Sequence, residues 1–173
     1  DVQVCRAPGL LSDHSNPPNR SLNLSPDVHD SQSLSSIGVA CHEAGHALQH
    51  AENYAPLKWR SALVPITQFS SHGAYIFILL GVFMQSMAMS QFGVILFGVG
   101  FVFALVTLPV EWDATARAKR LMVGDGIVQP QEAHDAGKVL DAAFLTYVAA
   151  AVSALLTLLY YALRLGLLGG RDD

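Results

Sequence analysis

The sequence predicts a mainly α-helical protein that crosses a membrane several times. Hydrophobic residues make up 51% of the 173 residues and charged residues only 14%, a composition too apolar for an average soluble domain. The apolar residues are also concentrated, since residues 74–110 contain no Asp, Glu, Lys or Arg. A further uncharged segment, residues 142–163, has the length of one membrane span.

The N-terminal segment, residues 1–36, is polar and rich in Pro, Ser and Asn. Two alternating runs within it, DVQVCRA and RSLNLS, are each predicted to form a strand of four to six residues, with ordered loops as the alternative. A strand edge would suit a protein that binds an extended peptide, because the peptide can add to the sheet through main-chain hydrogen bonds. Ser33, Ser35 and Ser36 are candidate N-caps of the helix that follows.

The next element contains GVACHEAGHALQH, residues 38–50. On a helix, His42 and His46 project from the same side, and Glu43 lies about 100° around the axis from His42. The pattern His-Glu-x-x-His is typical of zinc hydrolases, in which two imidazoles bind the metal and the glutamate is the general base. Most other positions are small or apolar, so polar side chains enclosed there would be costly without a metal. The sequence therefore predicts a Zn²⁺ site, with a chance match as the alternative.

The apolar residues 74–110 are too long for a single crossing. As one helix rising about 1.5 Å per residue they would extend over roughly 55 Å, whereas the hydrocarbon core is about 30 Å thick. We therefore expect spans near residues 75–88 and 92–109, joined by a tip in the less apolar residues 85–91. The preceding segment is predicted either to lie at the membrane interface or to begin the first span. The alternative, a large soluble helical core, leaves too few polar residues to cover three such helices.

A catalytic zinc needs a third protein ligand and one open position. Glu111 is the first charged residue after the second span, and the helix of that span is predicted to continue through it. A carboxylate at the membrane border is costly unless it is paired or binds a metal. Glu111 is therefore the leading candidate, and the competing candidates are Glu52, Asp113, His50 and His14.

The chain is thus interpreted as five parts. They are a polar segment (1–36), a metal-site helix with an interfacial segment (37–73), a transmembrane hairpin (74–110), a cytoplasmic helix and loop (111–141), and a third transmembrane helix with a tail (142–173). The fold expected is a mainly α, multi-pass membrane protein with a small zincin-like metal-binding portion and short edge strands near its N-terminus.

The distribution of Lys and Arg predicts the orientation. Positive residues favour the cytoplasmic side of a membrane, so the metal site is expected to face the cytoplasm. Two cysteines give no disulfide framework, which agrees with a reducing compartment. A net charge of −4 without a basic run argues against a nucleic-acid partner. On the side of the histidine helix lie Arg6, Arg20, Lys58, Arg60, Arg117, Lys119, Arg120 and Lys138, and on the other side Arg164 and Arg171.

The order of these motifs resembles the YugP-type neutral zinc metallopeptidases of bacterial membranes. The resemblance rests on VACHEAGHALQHAENYAPLKWRSALVPITQF, then a hydrophobic hairpin, then LVTLPVEWDATARAKRLM and AAFLTYVAAAVSALLTLL, and it covers the chain from about Leu11 onward. It implies metal ligands at His42, His46 and Glu111 with Glu43 as base. It also implies a further membrane helix upstream of this sequence.

One short motif departs from the family. The family's Asp-His-Tyr-Asp-Pro pattern appears here as DHSNP, which keeps Asp13, His14 and Pro17 but replaces the central pair by Ser15 and Asn16. A role that belongs to the Tyr-Asp pair therefore cannot be transferred to this chain.

The sequence thus predicts a zinc metallopeptidase of the endopeptidase type that is embedded in a lipid bilayer and acts on a peptide or protein substrate. Glu43 is expected to act as base. Candidates for the donor that stabilises the oxyanion are His14, which we prefer, His50 and Tyr54. One alternative is a membrane zinc-binding or chaperone-like protein without turnover, which would need a closed fourth ligand. A transporter or channel is disfavoured because the predicted spans contain no ionisable residue.

Overall fold

The N-terminal segment forms a small three-stranded sheet in the computed structural model, which describes residues 2–168. Strand β1 (Gln3–Arg6) lies parallel to β3 (Ser21–Leu24), and β2 (His14–Asn16) lies antiparallel on the other side of β3. The two predicted strands are confirmed as β1 and β3. Strand β2 was not predicted, because its three residues show no alternation of apolar and polar side chains.

Asp13 joins the start of β2 to the end of β3. Its Oδ1 accepts a hydrogen bond from the Ser25 backbone N–H at 2.7 Å, and its Oδ2 accepts one from the Ser25 hydroxyl at 2.9 Å. Ser25 is buried, so this carboxylate satisfies two polar groups that would otherwise be costly to enclose. Asp13 of the DHSNP motif thus has a structural role, and helix α1 (Pro26–His29) follows directly.

Helix α2 (Leu34–Ala51) carries the histidine motif. Of the three candidate caps, Ser33 is the N-cap, and its hydroxyl accepts a hydrogen bond from the backbone N–H of Ser36 at 3.2 Å. The helix ends at Ala51, where the chain turns through Asn53 in a left-handed conformation.

Three long helices complete the described chain: α3 (Ala55–Phe83), α4 (Met87–Gly124) and α5 (Pro130–Arg164). Each is long and apolar enough to cross a membrane, which confirms the predicted class of a mainly α, multi-pass membrane protein. Arg171, one of the two basic residues placed opposite the metal site, lies outside the described residues.

The helix bounds differ from the predicted spans in two ways. Residues 84–86 form the turn between α3 and α4, whereas the sequence predicts the tip at residues 85–91. The Gln, Ser and Met residues after the turn are compatible with a helix, so α4 begins earlier than their lower hydropathy indicates. Helix α3 already begins at Ala55, because the segment before the first predicted span continues as helix through Pro65.

The chain divides into two compact units. The first comprises the chain up to Leu57, with the sheet, α1 and α2, together with Pro109–Thr146. The second comprises Lys58–Leu108 and the chain from Tyr147. The first unit therefore holds the C-terminal part of α4 and the N-terminal part of α5. Its apolar core joins these parts to α2 through Cys41, Ala118, Met122, Ala133, Ala136 and Leu140.

The second unit contains most of the apolar residues of the three long helices. A small buried cluster joins α3, α4 and α5 through Ile78, Val94 and Ala162. At Gly93 a Cβ atom would lie 2.8 Å from the carbonyl oxygen of Ala74. The absence of a side chain there allows the backbones of α3 and α4 to approach closely, as small residues do in membrane helix pairs.

Candidate metal centre

Helix α2 presents the two histidines of the motif side by side. His42 and His46 are one helical turn apart, and their ring centroids lie 4.8 Å from each other with the ring planes almost perpendicular. Both side chains are mostly buried, with exposed fractions of 17% and 14%. The two imidazoles are therefore held on one face of α2 with little access to water.

Glu111 of α4 lies against both imidazoles. Its Oε2 is 3.2 Å from His42 Nε2 and 3.5 Å from His46 Nε2. The residue is 1% exposed. Of the groups of His, Cys, Asp and Glu within the described residues, these three offer ligand atoms that all lie within 4.8 Å of one another.

Gly45 explains how α2 and α4 come close enough to bring these side chains together. A Cβ atom on Gly45 would lie 2.6 Å from the carbonyl oxygen of Ala114, a distance that a real side chain cannot occupy. The two backbones are thus in contact between the histidines of α2 and Glu111 of α4. A larger residue at position 45 would separate the ligand atoms.

The second nitrogen of each imidazole has its own partner. His46 Nδ1 lies 2.9 Å from Gln49 Oε1, and His42 Nδ1 lies 3.4 Å from the hydroxyl oxygen of Thr115. Both histidines therefore direct their Nε2 atoms toward Glu111. Metal-binding histidines usually have such a partner on the other ring nitrogen, which fixes the orientation of the ring.

The electrostatic environment of His46 is set by two opposing effects. Burial alone would lower the pKa of His46, but the Glu111 carboxylate, with smaller contributions from Gln49 and Glu43, raises it above its usual value. Because a metal ion binds only the unprotonated imidazole nitrogen, metal binding would compete with protonation of His46.

Two of the three separations between the candidate ligand atoms are close to those in a tetrahedral zinc site. Ligand atoms about 2.0–2.2 Å from zinc in a tetrahedron are roughly 3.4 Å from one another, and the two Nε2–Oε2 separations of 3.2 and 3.5 Å are close to this value. Two imidazole nitrogens and one carboxylate oxygen are also the donors found in hydrolytic zinc sites, which keep a fourth position open.

Comparisons with known proteins agree with this geometry. A family model described as "Putative neutral zinc metallopeptidase" matches residues 1–166. The chain belongs to this family. It is also 42% identical, over all of its 173 residues and 76% of the relative's length, to the "Putative membrane protease YugP" of Bacillus subtilis (strain 168). No solved structure matches the chain.

The family match includes every element of the candidate metal centre, from the sheet to the N-terminal part of α5. The description of the family names zinc, so zinc is the metal that membership implies. The family and the three apolar helices together indicate a membrane protein related to zinc metallopeptidases.

The competing ligand candidates lie apart from the three grouped side chains. Glu52 pairs with Arg117 at 2.8 Å, and the Asp113 carboxylate accepts hydrogen bonds from Arg117 and Gln49 at 2.6 and 2.9 Å. His50 is exposed on the last turn of α2. Glu52 and Asp113 thus have other partners and His50 is exposed, so His42, His46 and Glu111 are the candidate donor set.

His14, the preferred candidate for the oxyanion donor, begins strand β2 and is exposed. Its Nδ1 lies 2.7 Å from the carbonyl oxygen of Ser12, which only accepts hydrogen bonds, so Nδ1 carries a proton. Neutral His14 therefore has a lone pair on Nε2, and it could donate to an oxyanion from Nε2 only as the imidazolium.

Two residues near the candidate centre, Gln49 and Thr115, were not identified from the sequence. Gln49 is three residues after His46 on α2, and Thr115 is four residues after Glu111 on α4. Such spacings place each of them on the same helix face as a candidate ligand. This spacing was the available signal, but many polar residues share it, so it does not distinguish a partner of the site from a solvent-exposed residue.

Proposed function

We propose that the protein is a membrane-embedded zinc metallopeptidase of the endopeptidase type, with His42, His46 and Glu111 as the zinc ligands. The observation that carries the proposal is a buried carboxylate against two imidazoles, with Glu43 next to the first of them. Glu43 is half-buried and makes no hydrogen bond or ion pair within the part of the chain that the structure describes. Its carboxylate is thus available as a base.

In the proposed reaction the metal supplies Lewis acidity, and side chains of the protein transfer protons and donate hydrogen bonds. Zinc held by these ligands supplies the Lewis acidity that activates a water molecule and polarises a carbonyl group. Glu43 accepts a proton from the attacking water and delivers it to the leaving amine. His14, as the imidazolium, is the proposed donor to the oxyanion. Tyr54 is less suited, because its hydroxyl lies 3.5 Å from the carbonyl oxygen of Pro109 and is directed there.

A cleft beside α2 offers a place for the peptide. It has a volume of about 560 Å³, and its walls come from the β2–β3 region and from the end of α2, including Ser15, Asn16, Ala47 and His50. Residues four and seven positions after Glu43 on a helix lie on nearly the same face as Glu43, and these are Ala47 and His50. An extended peptide along β2 would therefore lie on the side of α2 toward which Glu43 projects.

The alternative of a zinc-binding protein without turnover requires a fourth protein ligand. Asp113 and His50 were the candidates for that position. Asp113 is engaged by Arg117 and Gln49, and His50 lines the cleft. An open fourth position therefore accounts better for the arrangement, and it is the state that catalysis needs.

The variant Glu43→Gln tests the proposal. Because Glu43 is assigned as base and not as ligand, the variant should retain zinc while hydrolysis of a proteome-derived peptide pool falls by a factor on the order of 10²–10⁴. Zinc content and peptide cleavage are measured on the same purified sample. Loss of zinc together with activity would mean that Glu43 is a ligand, and a zinc-loaded wild-type protein that cleaves no peptide would favour the alternative without turnover.

A further inference from the structure

Gln49 is completely buried and has three hydrogen-bond partners. Its Nε2 donates to the carbonyl oxygen of Val110 at 2.7 Å and to Asp113 Oδ2 at 2.9 Å, and its Oε1 lies 2.9 Å from His46 Nδ1. The amide cannot be reversed. A reversed amide would place its oxygen against two groups that only accept hydrogen bonds.

This orientation determines the tautomer of His46. Gln49 Oε1 only accepts hydrogen bonds, so the proton of a neutral imidazole must be on Nδ1. The lone pair is then on Nε2, the nitrogen that lies 3.5 Å from Glu111 Oε2. A metal ion needs this lone pair. His42 differs, because its partner Thr115 has a hydroxyl that can either donate or accept.

Gln49 is itself held by an ion-pair network. Asp113 Oδ2, which accepts from Gln49, also accepts from Arg117 Nε at 2.6 Å, and Arg117 Nη1 lies 2.8 Å from Glu52 Oε2. The Arg117 side chain is 14% exposed. The network thus runs from the exposed carboxylate of Glu52 to the ring of His46, and it limits the rotation of the Gln49 amide.

We propose that Gln49 is a positioning residue for the metal centre. It holds His46 with the proton on Nδ1 and with Nε2 directed at the metal, and Asp113 and Arg117 hold Gln49 in the orientation that this requires. The inference rests on the proposed function, because it takes His46 as a zinc ligand. It adds a role for a residue that contacts neither the substrate nor the metal.

The first measurement uses the wild-type chain. Nitrogen NMR of the histidine rings in the zinc-loaded protein in detergent identifies which nitrogen of His46 carries the proton. We expect a slowly exchanging proton on Nδ1, because this N–H is buried and hydrogen-bonded. A proton on Nε2 instead would overturn the inference without any variant being made.

The second measurement compares zinc affinity in two variants. Gln49→Met keeps the length of the side chain and removes the acceptor, so zinc affinity should fall by about 10- to 100-fold. The comparison variant, Asp113→Asn, keeps an acceptor for Gln49 Nε2 and leaves the Gln49–His46 contact in place but weakens the ion pair with Arg117, so its zinc affinity should fall by less than that of Gln49→Met.

The outcomes separate the inference from the proposed function. Wild-type protein that binds no zinc would overturn both. Wild-type protein that binds zinc, together with Gln49→Met protein that binds it equally well, would overturn the inference alone. Equal losses of zinc affinity in Gln49→Met and Asp113→Asn that follow their losses of thermal stability would assign Gln49 a structural role only, and would also overturn it.

Discussion

The two units of the molecule use their polar side chains differently. In the unit with the candidate metal centre, polar groups join separate elements, as in the 2.8 Å pair between Arg117 of α4 and Glu52 after α2. In the unit formed by the apolar helices, the hydroxyls of Ser71, Thr107 and Thr157 each donate to the carbonyl four residues earlier on the same helix. Polar groups of the first unit thus join separate elements, whereas these three hydroxyls of the second unit are satisfied within their own helices. An exception in the second unit is Gln91, whose Nε2 donates to the carbonyl oxygen of Leu165 at 3.0 Å.

The difference follows from the surroundings of each unit, since lipid surrounds apolar membrane helices whereas water can reach charged side chains. In lipid an unsatisfied polar group has no water to bind, so a hydroxyl is most safely paired with its own helix. The association of the helices then depends on close packing, as at Gly93. In the unit with the metal centre, charged networks are tolerated because part of each network reaches water, as the exposed Glu52 does. Substitutions in the two units should therefore have different consequences.

The prediction with the largest expected effect concerns the side of the membrane that the candidate metal centre faces. We propose that the metal centre faces the cytoplasm, because most Lys and Arg residues lie on its side of the predicted spans. A membrane-impermeant thiol reagent added to intact cells should label a cysteine introduced at Met87, the first residue of α4, and should not label one introduced at Asp125, just after α4. The reverse labelling pattern would place the metal centre outside the cytoplasm.

The next effect concerns Glu111. Glu111→Ala removes one of three proposed ligands, and zinc affinity should fall by a factor on the order of 10² or more. Asp113→Ala is the matched control, because it removes a carboxylate two residues away that is bound to Arg117 and Gln49; its loss should be clearly smaller. Both variants should still insert, since the apolar helices are unchanged. Zinc-to-protein ratios after dialysis against a weak chelator measure the difference, and full zinc retention in Glu111→Ala would contradict the ligand assignment.

The prediction with the smallest expected effect compares two glycines that have similar surroundings but lie in different units. Gly45→Ala and Gly93→Ala each introduce a methyl group against a neighbouring helix backbone, and each should lower stability by about 1–3 kcal/mol. Gly45→Ala should also lower zinc affinity, because it separates α2 from α4, whereas Gly93→Ala should leave zinc affinity unchanged. Thermal unfolding and zinc titration of both variants test this. Equal zinc loss in both would show that the units do not respond separately.

The sequence predicts those features that depend on local pattern. The periodicity around His42 and His46 predicts α2, and the position of Glu111 after an uncharged run predicts a helix that continues through it. Both elements have the expected form. The grouping of the three side chains was proposed from chemistry, since a zinc ion needs a third ligand. The assignment of these residues as ligands remains a prediction.

Other features depend on contacts that no local pattern encodes. The role of Gln49 follows from the simultaneous positions of His46, Val110 and Asp113, which come together only when α2 packs against α4. Strand β2 exists because β3 supplies its hydrogen-bond partners. In both cases the residue type fits several environments, and tertiary packing determines which one it occupies.

The separation of the proposed ligands along the chain has a consequence for biosynthesis. Glu111 follows His42 by 69 residues, and between them lie α3 and the first part of α4, both apolar enough to enter a membrane. A ribosome therefore completes both histidines and the whole of α3 before it adds the carboxylate. The nascent chain has an incomplete donor set during this interval. The order of synthesis thus delays assembly of the candidate metal centre until α3 and the first part of α4 have been made.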